Sequence, residues 1–464
     1  MAKMVRWWVG TVVLACAATA VYADEGAGVN VPPPTSDALA QDDRIAELER
    51  AVAVLASELE RTRADITVPE EPELISQYGF GPAASKIYGI ERGLSIGGYG
   101  EIFYSKLLSD KGTGKDRADA LRTVLYVGYK FNENIIFNSE YEFEHATSSS
   151  TASSGNGSVS VEFATLDYLW KDWANFRAGL VLVPMGWINE IHESPYYLGT
   201  HRPEVERQII PSTWRELGGG VFGTLFEDVT YSAYVINGLN GTAFNSGGLR
   251  GGRQKGNRAL AENTSFVTRI DWSPMPEVLV GGSVYYGKSG QNQEFDVSPG
   301  GGLADFMVEI PGTPTTIWEV HGQYSNKGFF LRGLFTMAHL NDAGDLSRAL
   351  GPVTEGGIGN LKSGEGIGGQ MLGVYGEIAY DILPLFVGET EMSLEPFFRA
   401  EYYDTQRKMP SGYSKDLNKR RTILTAGIQY KPITNVVLKM DYRNRMASEG
   451  ELSDELNMGV GFAF

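Results

Sequence analysis

The chain has 464 residues, 40 Lys and Arg against 57 Asp and Glu, and a formal net charge of −17 at pH 7. Such an acidic balance excludes a surface built to neutralise nucleic-acid phosphates. Beyond residue 30 no stretch carries the roughly 18 consecutive apolar residues a membrane-spanning helix needs, while the length admits several ordinary domains or one large barrel.

At the N-terminus, Lys3 and Arg6 precede an apolar run from Trp7 to Ala20, and Val21-Tyr22-Ala23 supplies the small residues a signal peptidase reads. Residues 1–23 therefore read as a secretory signal peptide. Val13-Leu14-Ala15-Cys16 loosely resembles a lipoprotein processing site, but the apolar run continues past it. Cys16 is the one cysteine, so cleavage after Ala23 leaves no thiol for a disulfide or a thiolate metal site.

Residues 24–36 form a Pro-rich linker. Over 37–66 the period becomes that of a coiled coil, with Ala38, Ile45, Val52, Leu59 and Ile66 at a, and Leu48, Leu55 and Thr62 at d. Arg44 faces Glu49 and Glu58 faces Arg63 across the g–e positions, as in a parallel coil. The expected seam is Ile45, Leu48, Val52, Leu55 and Leu59; its Ile/Val and Leu choice leans towards two strands. The alternative is a lone amphipathic helix packed on the domain. Pro69 and Pro72 end the helix, and 67–93 is expected to be a second linker.

From residue 94 to the end, segments of about ten residues alternate apolar with polar or small side chains. Upward strands are expected near 94–104, 135–145, 175–183, 229–237, 278–287, 328–338, 394–404 and 435–445. Returning strands are expected near 119–130, 159–169, 217–226, 264–272, 315–325, 369–381, 420–430 and 454–464. This predicts an all-β transmembrane antiparallel barrel of about sixteen strands, preceded by a short helical coiled coil. Tight turns at 131–134, 171–175, 273–277 and 431–435 interleave with long loops at 146–158, 238–263 and 341–368. The tight turns belong on the periplasmic side, which also places the coiled coil beneath the membrane.

In IIFNSEYEFE, Ile135, Phe137, Tyr141 and Phe143 should meet lipid while Asn138, Glu140, Glu142 and Glu144 face inward; in NVVLKMDYRN, Val436, Leu438, Met440 and Tyr442 alternate with Lys439, Asp441 and Arg443. A soluble sandwich has no use for such a greasy row on strand after strand. Phe464 is an expected assembly signal, read by the outer-membrane barrel assembly machinery.

The segments SKIYGIERGLSIGGYGEIFY at 85–104 and GLVLVPMGWINEIHESPYYLGTHRPEVERQIIPSTWRELGGGVFG at 179–223 resemble the porins grouped with the phosphate-selective and DcaP-type channels. That resemblance implies a sixteen-stranded homotrimer with a periplasmic coiled coil, against the two-strand lean of the heptads. It leaves the solute open, because the dense Arg and Lys ladder of phosphate-selective members is missing here.

The connection 184–216 is expected to fold inward and narrow the pore. It offers Glu190, His192, Glu193, His201, Arg202, Glu204, Glu206, Arg207 and Arg215, to which inward strand faces add Arg177, Arg269, Arg332, Arg399 and Lys439 against Glu101, Glu140, Glu142, Glu319, Glu377 and Glu401. Many of these should pair to brace the loop. No catalytic motif stands in a supporting context, and His192-Glu193 with His201 fits no common ligand spacing. Neither an enzyme, a cofactor nor a metal is therefore expected. The reading is a porin passing small hydrophilic solutes, anions among them, across a Gram-negative outer membrane. A structural anchor with a partner-binding coil is the alternative.

Overall fold

The computed structural model describes residues 44, 47–58, 74–108, 114–148, 157–300 and 304–464. The expected signal peptide and Pro-rich linker lie outside the described residues, as do the seam positions Ile45 and Leu59. Residues 47–58 are helical, and the seam residues Leu48, Val52 and Leu55 are all exposed. This helix belongs to one compact unit, 1–71, and the remainder of the chain to another, 72–464.

The second unit is a closed barrel of sixteen antiparallel strands. In chain order they are β1 Gly93–Leu107, β2 Arg117–Lys130, β3 Ile135–Glu144, β4 Val159–Lys171, β5 Ala174–Leu182, β6 Arg215–Leu225, β7 Val229–Asn237, β8 Thr264–Met275 and β9 Val278–Lys288. A two-stranded hairpin outside the wall follows, β10 Glu294–Val297 with β11 Phe306–Glu309. The wall resumes with β12 Pro314–Asn326, β13 Phe329–Leu340, β14 Gln370–Tyr380, β15 Ser393–Lys408, β16 Arg420–Ile433, β17 Val436–Ala447 and β18 Glu455–Ala463. Each wall strand overlaps one expected from the sequence.

Closure runs through β1 and β18, from Tyr99 opposite Ala463 to Leu107 opposite Glu455. Phe464 completes it: its N–H donates to Gly98 O and its carbonyl accepts from Gly98 N–H, both at 2.9 Å. Since a barrel in lipid must satisfy every backbone group internally, this residue extends the seam by one further pair.

Strand alternation divides the wall as the sequence predicts. On β17, Leu438, Met440 and Tyr442 are exposed while Val437, Lys439, Asp441 and Arg443 are buried. Near the short turns the outer face carries Tyr129, Phe131, Tyr168, Trp170, Trp173 and Phe176, with the Lys171 ammonium over the Trp170 ring at 4.7 Å. Such a collar of aromatic rings and a cation suits the boundary between hydrocarbon and headgroups.

One expectation changes. Within the stretch expected as a linker, residues from 74 onward pack inside the barrel: Phe80, Ala83, Ala84, Ile87 and Tyr88 cluster with Tyr99, Val124, Tyr126, Ile136 and Phe163. Lys130 Nζ binds the carbonyls of Tyr88 and Ile90, at 3.2 and 2.7 Å, and Tyr88 OH donates to Asp167 at 2.7 Å. Gly128 leaves the room this needs, since a Cβ there would stand 2.8 Å from Ile87. A short segment without helical or strand period carries no sequence signal for this burial; only the glycine-lined wall creates the recess.

Candidate functional site

The chain between β5 and β6 enters the lumen and reaches the opposite wall. Asn189 shapes its entry and exit, donating to the carbonyls of Val183 and Trp214 and accepting from Trp214 N–H. Glu206 ties the loop to itself and to β14, accepting from Ile188 N–H at 2.8 Å and Tyr375 OH at 2.6 Å. Glu401 on β15 accepts from Val205 N–H at 3.2 Å, at the start of the short helix Glu204–Gln208. Asp441 on β17 takes both Thr200 N–H and Thr200 Oγ1.

Most of the expected pore cations serve this bracing. Lys439 Nζ donates to the carbonyls of Ser194, Tyr197 and Gly199 at 2.7, 2.8 and 2.9 Å. Arg399, fully buried, donates to Leu198 O and His201 O and lies 3.4 Å from Glu377 and 3.2 Å from Glu401. Arg332 pairs with Glu377 and lies beside the Trp187 ring. Arg177 forks onto Asp167 and donates to Tyr78 O, holding the N-terminal segment. Arg269 meets Asp271 at 2.8 Å and Glu190 at 3.2 Å, and donates to Gly186 O. Arg215 pairs with Glu162, while Arg202 donates to His192 O. Where the partner is a carboxylate, the charge is cancelled at short range and contributes little field to the lumen, while Lys439 and Arg202 are held in place by carbonyls.

The loop also grips the N-terminal segment, for Glu193 accepts from the N–H groups of Ala83 and Ala84 at 3.1 and 3.2 Å. Burial pushes the Glu193 carboxyl up to about 7 even against those donors, and pushes Glu190 up to about 6 against Arg269. Beneath the loop, towards the short turns, lies a cavity of about 970 Å³. Arg269, Asp271, Arg332, Glu395 and Lys431 give it charge of both signs.

On the long-loop side the balance differs. Arg207 is 57 % exposed, with Glu204 at 3.7 Å. Arg250 and Arg253 come from the 238–263 loop, which docks here because Arg253 donates to Ser212 O and Thr213 O. Arg250 Nη1 is buried without a hydrogen-bond partner among the described residues. Burial and the like charges of Arg253, Arg207 and Arg202 push the Arg250 guanidinium down to about 9; burial first, then Arg215 and Arg207, push Arg253 down to about 10. Lys255 is lowered too, by burial and the same arginines. Arg250 and Arg253 remain cationic at neutral pH. The run RGGRQKGNR at 250–258 was the available signal, but its glycines made it read as an ordinary outer loop.

No family model matches the chain. A protein of Aquifex aeolicus (strain VF5), described as "Uncharacterized protein", is 35 % identical over 386 residues, covering 82 % of each chain. The chain belongs to the same family as that protein. Among solved structures, the trimer form of OmpT, an outer membrane protein of Vibrio cholerae, matches with 11 % identity and a TM-score of 0.47, over 81 % of this chain and 100 % of the other. Salmonella typhi OmpF matches at 13 % and 0.47, over 80 % and 98 %, and an anion-selective porin from Comamonas acidovorans at 10 % and 0.44, over 81 % and 100 %. No solute or assembly is carried over from them to the Aquifex family at such distance.

Proposed function

We propose that the protein is a porin of a Gram-negative outer membrane, a water-filled channel for passive diffusion of small hydrophilic solutes, with the 184–216 loop as its constriction and a preference for anions. Support for the preference comes from the group of Arg207, Arg250, Arg253 and Lys255 on the long-loop face of that loop, where like charges crowd one another. An unpaired charge acting at about 8 Å contributes about 0.5 kcal/mol at the dielectric of water and about 2 kcal/mol at an effective dielectric of 20. That corresponds to a local anion concentration raised by about two- to thirty-fold.

Expulsion of water is not required; a hydrated anion is attracted to the arginines and passes because no single site holds it tightly. The exposed Leu48, Val52 and Leu55 support self-association of the N-terminal helix, and with it a homotrimer whose coil lies in the periplasm. The exposed aromatic end at Phe464 supports recognition by the barrel assembly machinery.

The test is the reversal potential of the purified protein in a planar bilayer under a salt gradient. The wild type should prefer anions, and Arg207→Gln with Arg250→Gln should move the potential towards cations. A conducting wild type whose potential the double variant leaves in place overturns the assigned site. A barrel that never conducts overturns the channel in favour of the anchor.

A further inference from the structure

A cluster outside the cationic site raises a separate chemical problem. His192, on the inserted loop, sits against Glu140 of β3 and Glu162 of β4, all three buried. His192 Nδ1 lies 3.2 Å from Asn189 O, and a carbonyl only accepts, so Nδ1 carries the proton. The bare Nε2 lone pair is then aimed at Glu140 Oε1, 3.2 Å away. Two acceptors facing one another need a proton or a cation between them.

The second observation is the state of the carboxylates. Glu140 Oε2 and Glu162 Oε2 are buried without a hydrogen-bond partner among the described residues. Arg215 pairs with the other oxygen of Glu162, and Arg122 lies 3.1 Å from Glu101 and 3.4 Å from Glu142. Glu101, Glu140, Glu142 and Glu162 thus crowd one another, faced by Arg122, Arg202, Arg215 and, at Glu101, Lys439, while two of their oxygens stay without a partner. Burying an uncompensated charge is costly.

We propose that Glu140, Glu162 and His192 form a binding site for one divalent cation of the zinc type, which would clamp the inserted loop to the β3–β4 wall. Their ligand atoms lie within 4.8 Å of one another. Ligands of a tetrahedral zinc at about 2.1 Å stand ~3.4 Å apart, so small carboxylate rotations complete the set. One imidazole nitrogen and two carboxylate oxygens suit zinc better than calcium or magnesium, which take oxygen alone. The Nδ1–H to Asn189 O bond is the outer support that metal-bound histidines have, fixing ring and tautomer.

The experiment uses the full-length barrel, stripped with a chelator, loaded with Zn²⁺, freed of excess and analysed for bound zinc by mass spectrometry of the element. About one zinc per chain is expected in the wild type and in His145→Ala, whose imidazole lies elsewhere. Glu140→Gln, Glu162→Gln and His192→Ala should each bind at least tenfold more weakly while keeping the heat-dependent gel mobility of a folded barrel. Zinc should also raise the unfolding temperature of the wild type and leave His192→Ala unmoved. No retained zinc in the wild type, or equal retention in the folded ligand variants, overturns the site.

Discussion

Towards the short turns, Lys439 is held by three carbonyls, Arg332 and Arg399 share Glu377, and Arg177 is forked onto Asp167. Towards the long loops, Arg207 stands more than half exposed and Arg250 presses against other cations. Both groups consist of lumen-side cations, yet the first hold a loop in place and the second set a field. The difference teaches that neither the total charge of −17 nor a count of inward arginines predicts what an ion meets. What counts is which charges are buried against partners that hold them and which stand exposed or beside like charges.

The largest effect that would sharpen this contrast lies on stability. Arg399→Ala removes a fully buried guanidinium and leaves Glu401 without its cation, so unfolding in denaturant should become easier by about 3–5 kcal/mol. Arg207→Gln, at an exposed position, should stay within about 0.5 kcal/mol. Equal costs in the two variants would erase the distinction between bracing and field-setting cations. It follows that Arg215→Gln is a poor probe of selectivity, because it strips Glu162 of its partner.

A smaller effect should follow pH. Glu190, raised to about 6, and Glu193, raised to about 7, take up protons as pH falls from 8 to 5, removing negative charge from the loop. Groups facing Glu190 are Arg269, Asp271, Arg177 and His321; Glu140 and Tyr126 face Glu193. Anion preference should therefore increase on acidification, and Glu190→Gln should reduce the part of that change lying near pH 6. A reversal potential moving towards cations on acidification contradicts the assigned sign.

The smallest effect concerns the helix. Neutralising Glu47, Glu49 and Glu58 together should leave the reversal potential unchanged at physiological salt, where charges beyond roughly 8 Å are screened. A shift as large as that of the Arg207 and Arg250 variant would show that bulk acidity governs permeation.

Particular residues mark where sequence reasoning worked. The row Leu438, Met440, Tyr442 against Lys439, Asp441, Arg443 is legible because a strand has period two and lipid on one side enforces it. The burial of Phe80 to Tyr88 and the docking of Arg250 and Arg253 are not legible, for neither segment has a period and both depend on partners far away in the chain.

By itself, then, the order of residues determined the number of wall strands, their facing and the alternation of tight and long connections, since each follows from local periodicity and backbone hydrogen bonding in lipid. Tertiary structure alone decided which cations are held by partners. Lys439 and Arg250 are both lumen-side cations, but one meets three carbonyls at 2.7–2.9 Å and the other meets like charges. That outcome depends on how loops 183–214 and 238–263 cross the barrel, and Coulomb energy falls too steeply with distance for any reading of residue types to replace the positions themselves.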